Sequence, residues 1–119
     1  MKIHPSRASG RIVSQASKSS MQRAVAAALL AEGTSFLTNI TYSDDSVSAL
    51  AMAECLGAKV ERGKDVVRIV GGLNPVCAEL NCGESGLGIR LFSAISSLCD
   101  MEIILTGSGS ILRRPMTMI

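Results

Sequence analysis

Twice along this chain a β-like run meets a turn of small residues, passes into an amphipathic helix, and emerges as a second β-like run. The first round starts at Arg11-Ile12-Val13-Ser14 and turns through Gln15-Ala16-Ser17-Lys18-Ser19 into a helix spanning about Ser19 to Ala31. In that helix Met21, Ala24, Val25, Ala28 and Leu29 fall at i, i+3, i+4, i+7 and i+8, an apolar stripe on one face, and Gly33 follows as a stop. Thr34 to Ile40 reads as a strand by composition. Ser43 or Asp44 caps a second helix with Val47, Leu50, Ala51 and Cys55 on one face, ending at Gly57. Ala58 to Glu61 and Val66 to Val70 make a hairpin around Arg62-Gly63-Lys64-Asp65, which completes a βαβαββ order.

After a turn or loop over Gly71 to Pro75 the pattern begins again. Val76 to Leu80 alternates, with Val76, Ala78 and Leu80 on one side. Gly83-Glu84-Ser85-Gly86 opens a third helix with Leu87, Leu91, Ala94, Ile95 and Leu98 as its stripe. Met101 to Thr106 reads as a strand, and Gly107-Ser108-Gly109-Ser110 as a loop. The second round stops at Ile119, where its next helix is expected to start. Such self-similarity points to an α/β (α+β) fold made of one βαβαββ unit (about 11–70) and part of a second (about 76–119), with helices packed on one side of a sheet.

A chain of 119 residues can bury one real core but not comfortably two. Aromatics are only 3% of a composition that is 47% hydrophobic, so the core must be built from Ala, Val, Ile, Leu and Met. The net charge of +2, without a basic run carrying interleaved aromatics, argues against a nucleic-acid protein. The longest apolar run, Ala24 to Ala31, is far too short to cross a bilayer, and nothing resembles a signal peptide. No membrane association and a cytoplasmic setting are therefore expected. Cys55, Cys77, Cys82 and Cys99 have no C-x-x-C spacing, and His4 lies near an end expected to be mobile. Reduced thiols are the expectation, with a zinc site or a disulfide framework as the sharper alternative.

Three spots could carry chemistry. Ser17-Lys18-Ser19, with Arg23 one turn on, stands at a helix start, where unpaired amides and the dipole favour an anion. Taken alone, this triplet is most simply a polar helix start with an exposed lysine. Gly83 to Arg90 places three glycines at a strand-to-helix turn, which lets a ligand approach the backbone, although an ordinary tight turn needs no more. Arg113-Arg114-Pro115 could grip a carboxylate or phosphate with two parallel hydrogen bonds, or be a solvated basic pair before a helix.

Taken together, these spots resemble the enolpyruvyl transferases, and within them the 5-enolpyruvylshikimate-3-phosphate synthases. The family's P-G-S-K-S element and following arginine read here as Gln15-Ala16-Ser17-Lys18-Ser19 and Arg23. Its D-S-D-D-like element reads Tyr42-Ser43-Asp44-Asp45, and its G-N-A-G-T-A-M-R signature reads Gly83-Glu84-Ser85-Gly86-Leu87-Gly88-Ile89-Arg90. The L-T-G and R-P-M elements read Leu105-Thr106-Gly107 and Arg114-Pro115-Met116. The sister branch, which acts on UDP-N-acetylglucosamine, has an Ala-Lys-Asn element and lacks the arginine, so Lys18, Ser19 and Arg23 favour the shikimate branch. Glu84 stands where the family has Asn and puts a negative charge beside an anion site; unless it points away or pairs with a cation, it weakens binding.

The resemblance implies transfer of the enolpyruvyl group of phosphoenolpyruvate to the 5-hydroxyl of shikimate 3-phosphate, with no metal or organic cofactor. It implies that Lys18, Ser19 and Arg23 bind phosphoshikimate and that Lys18, Gly86 and Arg114 bind phosphoenolpyruvate. It implies two domains of three βαβαββ units each. On that scale residues 1–14 are a leader and first strand near the interdomain crossing, and 15–119 are an incomplete domain. The proton-transfer groups are expected mainly elsewhere, so the chain alone is expected to be inactive and, with its helix stripes partly uncovered, to self-associate. From a different class, a stand-alone anion-binding or assembly module of the same fold is the competing expectation, with the sister UDP-N-acetylglucosamine activity behind it.

Overall fold

A computed structural model of the chain describes residues 1–116. Its elements are α1 (Lys18–Leu30), β1 (Thr34–Thr38), α2 (Asp44–Cys55), β2 (Lys59–Arg62), β3 (Val66–Val70), β4 (Glu79–Asn81), α3 (Gly86–Ser96), β5 (Ile104–Thr106) and a 3-10 turn, Gly109–Arg113. The helix expected near the end of the second round falls outside the described residues.

The first three strands form an antiparallel sheet in the order β1-β3-β2. Alternation sorts its two faces. Leu37, Val67, Ile69 and Val60 are cross-strand neighbours on the inner face, where Val67 and Ile69 are fully buried. Phe36, Arg68 and Glu61 are neighbours on the outer face, with Arg68 and Glu61 in a 2.6 Å ion pair. α1 and α2 cover the inner face with Val25, Leu29, Leu50 and Met52. Gly71 lets the end of β3 press against α1, since a Cβ there would collide with the Ala28 and Ala31 carbonyl oxygens. Gly72 then donates to Leu29 O at 2.8 Å, satisfying one of α1's last carbonyls.

β4 and β5 pair in parallel, Glu79 to Ile104 through Asn81 to Thr106, and α3 makes the crossover that parallel neighbours require. Phe92 and Ile95 carry α3 into the same core as Leu80 and Cys82.

Four expectations need correction. Residues 11–14 form no strand: Ile12 and Val13 are 92% and 95% exposed, because among the described residues no strand lies alongside to pair with them. Strand β4 starts at Glu79 rather than Val76, because the backbone just before it serves another element. Asn74 and Val76 donate to Leu56 O and Cys55 O at the end of α2, at 2.9 and 2.8 Å. The stretch 107–110 is not all loop, since the 3-10 turn begins at Gly109. Finally, Cys55 and Cys77 are joined by a disulfide, where reduced thiols were expected, while Cys82 and Cys99 are free. The hydrogen bonds of 74–77 to the end of α2 bring these two Cα atoms to 5.1 Å, within bridging reach.

Candidate functional site

The starts of α1 and α3 meet beside the 3-10 turn. Ser17 caps α1, accepting from the Ser20 amide at 3.3 Å, so Lys18 is the first helical residue. Its Nζ lies 2.9 Å from Asp45 Oδ2, in the first turn of α2, where the dipole also favours a carboxylate. Ser85 caps α3, accepting from the Gly88 amide at 2.9 Å. The same hydroxyl donates to Gln22 Oε1 at 2.7 Å. Gln22 and Ser85 are both buried, so this hydrogen bond locks the first turn of α1 to the cap of α3.

Gly86 opens α3 where two arginines converge. A Cβ there would lie 2.7 Å from Arg114 Nη1 and 3.2 Å from Arg90 Nη1, so only glycine leaves both guanidinium groups their places. Arg90 donates to Gly86 O at 2.7 Å, and Arg114 Nη2 reaches Ser110 Oγ at 3.4 Å. From the turn before α3, Glu84 Oε2 accepts the Ser110 amide at 2.9 Å and so holds the start of the 3-10 turn that leads into Arg114. Hydrogen bonds from Ser110 hold the Glu84 carboxyl below the usual range, with smaller help from the charges of Arg113 and Arg114.

These side chains line one cleft of about 540 Å³: Lys18, Asp45, Glu84, Gly86, Leu87, Arg90, Ser110 and Arg114. The lining holds cations from three separate segments, which suits a ligand with more than one anionic group. Lys18, Gly86 and Arg114, singled out in the sequence, come together here. Ser19 and Arg23 do not line this cleft. Spaced four residues apart, they share the neighbouring face of α1, where Ser19 is half-buried and Arg23 exposed.

Sequence reasoning did not assign Gln22, Asp45, Arg90 or Ser110 to the site. Gln22 left a signal, a polar residue on the buried side of α1's apolar stripe. Arg90 sits in the glycine-rich signature, one turn after Gly86, the right spacing to fold back on it. Asp45 and Ser110 left none, because their partners lie 27 and 26 residues away.

A family model for EPSP synthase (3-phosphoshikimate 1-carboxyvinyltransferase) matches residues 3–119. The chain belongs to this family. A 3-phosphoshikimate 1-carboxyvinyltransferase of Methanobrevibacter smithii is 35% identical over 114 residues, 92% of this chain and 26% of the relative. One of Clostridium beijerinckii is 34% identical over 125 residues, 98% of this chain and 29% of the relative. An EPSP synthase structure from Acinetobacter baumannii superimposes with a TM-score of 0.79 at 31% identity, covering 90% of this chain and 26% of that one. The chain therefore spans between 26% and 29% of these relatives, and its mixed helix-and-strand architecture is that of the family.

Proposed function

We propose that this chain is part of a transferase that moves the enolpyruvyl group of phosphoenolpyruvate to the 5-hydroxyl of shikimate 3-phosphate, releasing phosphate on the route to aromatic amino acids. The observation that carries this reading is the convergence of Lys18, Gly86 and Arg114 on one cleft, at the starts of two helices and beside the 3-10 turn. Residues 15–119 belong to one domain of the whole protein, and 1–14 lie near its crossing to the other.

In this reading Lys18 touches both substrates, Gly86 and Arg114 hold phosphoenolpyruvate, and Ser19 and Arg23 hold phosphoshikimate, Arg23 chiefly through its carboxylate. The hydroxyl gives up its proton as its oxygen bonds to C2 of phosphoenolpyruvate and C3 takes a proton; the adduct then loses phosphate from C2 and a proton from C3, which restores the double bond. Two anions must be held close together throughout. Fixed cations and amides do that without reorganising, and they stabilise charge that develops in the reaction. Lys18 is available to a ligand because its pair with Asp45 is 60% exposed on the lysine side, and exposed pairs are worth little. The reaction needs no metal or organic cofactor, and a cytoplasmic setting, without nucleic acid or membrane, fits the composition. Among the described residues no helix is long and apolar enough to cross a membrane.

An assay of phosphate release in the whole protein carrying this sequence tests the proposal. Arg23→Ala and Arg114→Ala each lower kcat/KM about 10- to 100-fold, the worth of a charged hydrogen bond, while Lys64→Ala, in the exposed hairpin turn, leaves it unchanged. Equal activity of Arg23→Ala and Lys64→Ala contradicts the assignment. By itself the 119-residue chain binds its substrates weakly and does not turn them over; turnover by the purified chain contradicts that part. The isolated chain also self-associates through the end of α3 and the turn after it, where Ala94 is exposed and Leu98 is 64% exposed, with Leu87 half-buried on the same helix. α1 contributes nothing there, since Met21, Val25, Ala28 and Leu29 are buried. A monodisperse monomer in sedimentation at micromolar concentration removes that inference.

A further inference from the structure

Glu84 is the one acidic side chain of the cleft whose charge meets no cation directly. Asp45 is spent on Lys18, but among the described residues Glu84 makes no ion pair within 4.0 Å. Its carboxylate lies against Gly109, held in a φ of +55°, where an added Cβ would collide with the carboxylate. Gly109 thus forms a cradle for this carboxylate, and the Ser110 amide fixes it there at 2.9 Å. The chain of contacts continues from Ser110 Oγ to Arg114, whose other nitrogen lies against Gly86, two residues from Glu84. A negative charge is therefore held on the wall of a cleft whose other lining charges are Lys18, Asp45, Arg90 and Arg114.

We propose that Glu84 is a specificity-determining residue of this cleft: its fixed charge penalises each added negative charge on the ligand, while its hydrogen bond to Ser110 positions the turn that carries Arg114. The inference rests on the reading of the cleft as an anion site. Its two roles separate chemically. Glu84→Gln removes the charge and keeps an oxygen to accept the Ser110 amide, whereas Glu84→Ala removes both.

Inorganic phosphate titrated into the chain, followed by amide NMR at Gly86 and Ser110, tests both. Arg114→Ala weakens phosphate binding. Glu84→Gln tightens it about three- to tenfold, the scale of one nearby charge in a partly solvated site, and leaves the Ser110 amide resonance near its original position. Glu84→Ala displaces that resonance and gives a smaller gain than Glu84→Gln. If Arg114→Ala weakens binding but Glu84→Gln leaves it equal or weaker, the role of Glu84 is overturned and the anion site stands. If Arg114→Ala changes nothing, or no variant binds phosphate, the anion site itself is overturned and Glu84's role falls with it.

Discussion

Residues 18–70 and residues 79–113 each contain a helix that leads into a strand, α1 into β1 and α3 into β5, yet they are closed to different degrees. In the first stretch three strands of four or five residues pair antiparallel and two helices cover their inner face. In the second, two parallel strands of three residues lie under one helix, with Leu98, Ile104 and Leu112 exposed. The difference follows from topology. A hairpin such as β2–β3 satisfies its backbone locally, whereas a parallel pair depends on its crossover helix and on whatever flanks it. The cleft lies on the seam between the two. Its geometry therefore depends on the few contacts that tie them, above all Gln22 with Ser85 and Glu84 with Ser110.

The sharpest way to break this contrast is to truncate a leucine in each region. Leu50→Ala, in the closed region and fully buried, costs about 2–5 kcal/mol, while Leu98→Ala costs under about 0.5 kcal/mol in urea denaturation. Comparable losses would mean that the second region is as closed as the first.

Next in size is the clasp at the junction. The Cys55–Cys77 bond closes a loop with a sequence separation of 22, and reduction or Cys77→Ser costs about 3 kcal/mol on the chain-entropy account. Thiol labelling of unfolded, unreduced protein finds Cys82 and Cys99 alone; four reactive thiols contradict the bond.

Ser85→Ala then tests the seam itself. It strands the buried Gln22 oxygen and the Gly88 amide, at a cost of about 1–3 kcal/mol. In a double-mutant cycle with Gln22→Leu the losses are less than additive; strict additivity would show that the two helix starts are not coupled.

The smallest effect is local and depends on pH. The folded-state pKa of Glu84 is depressed, so its cap on Ser110 is fully present above the ordinary carboxylate range and is lost as pH falls through the lowered value. The Ser110 amide resonance moves below that range in the native chain and stays still in Glu84→Gln. Movement at neutral pH contradicts the depressed value.

The sequence was most readable where structure is local. The stripe of α1 at i, i+3, i+4, i+7 and i+8 fixed its buried face, and Arg62-Gly63-Lys64-Asp65 between β-rich runs located the β2–β3 turn, although Arg62 itself ends β2. It misled where a partner lies far away in the chain, or where none is present among the described residues. Arg11 to Ser14 has strand composition, but composition supplies no neighbour to pair with. Val76 alternates like a strand residue, yet its amide goes to Cys55 O, and nothing in either local pattern announces that contact. The cations of the cleft were legible because a lysine or arginine at a helix start or turn has a local physical meaning. Their counter-charges were not, since Asp45 and Glu84 read equally well as helix-start or turn acids. Glu84 was expected to weaken an anion site unless it pointed away or met a cation; it lines the cleft without an ion pair among the described residues, and its hydrogen bond to the Ser110 amide left no local signal.

The most direct measurement is amide and guanidinium NMR on the chain during titration with millimolar phosphoenolpyruvate. The account predicts concerted, saturable shifts at Lys18, Gly86, Leu87 and Arg114 with a single apparent Kd, abolished by Arg114→Ala, and none at Arg62 or Arg68 on the sheet. Shifts that scatter over Arg62 and Arg68, or that survive Arg114→Ala unchanged, would contradict a single cleft built from Lys18, Gly86 and Arg114.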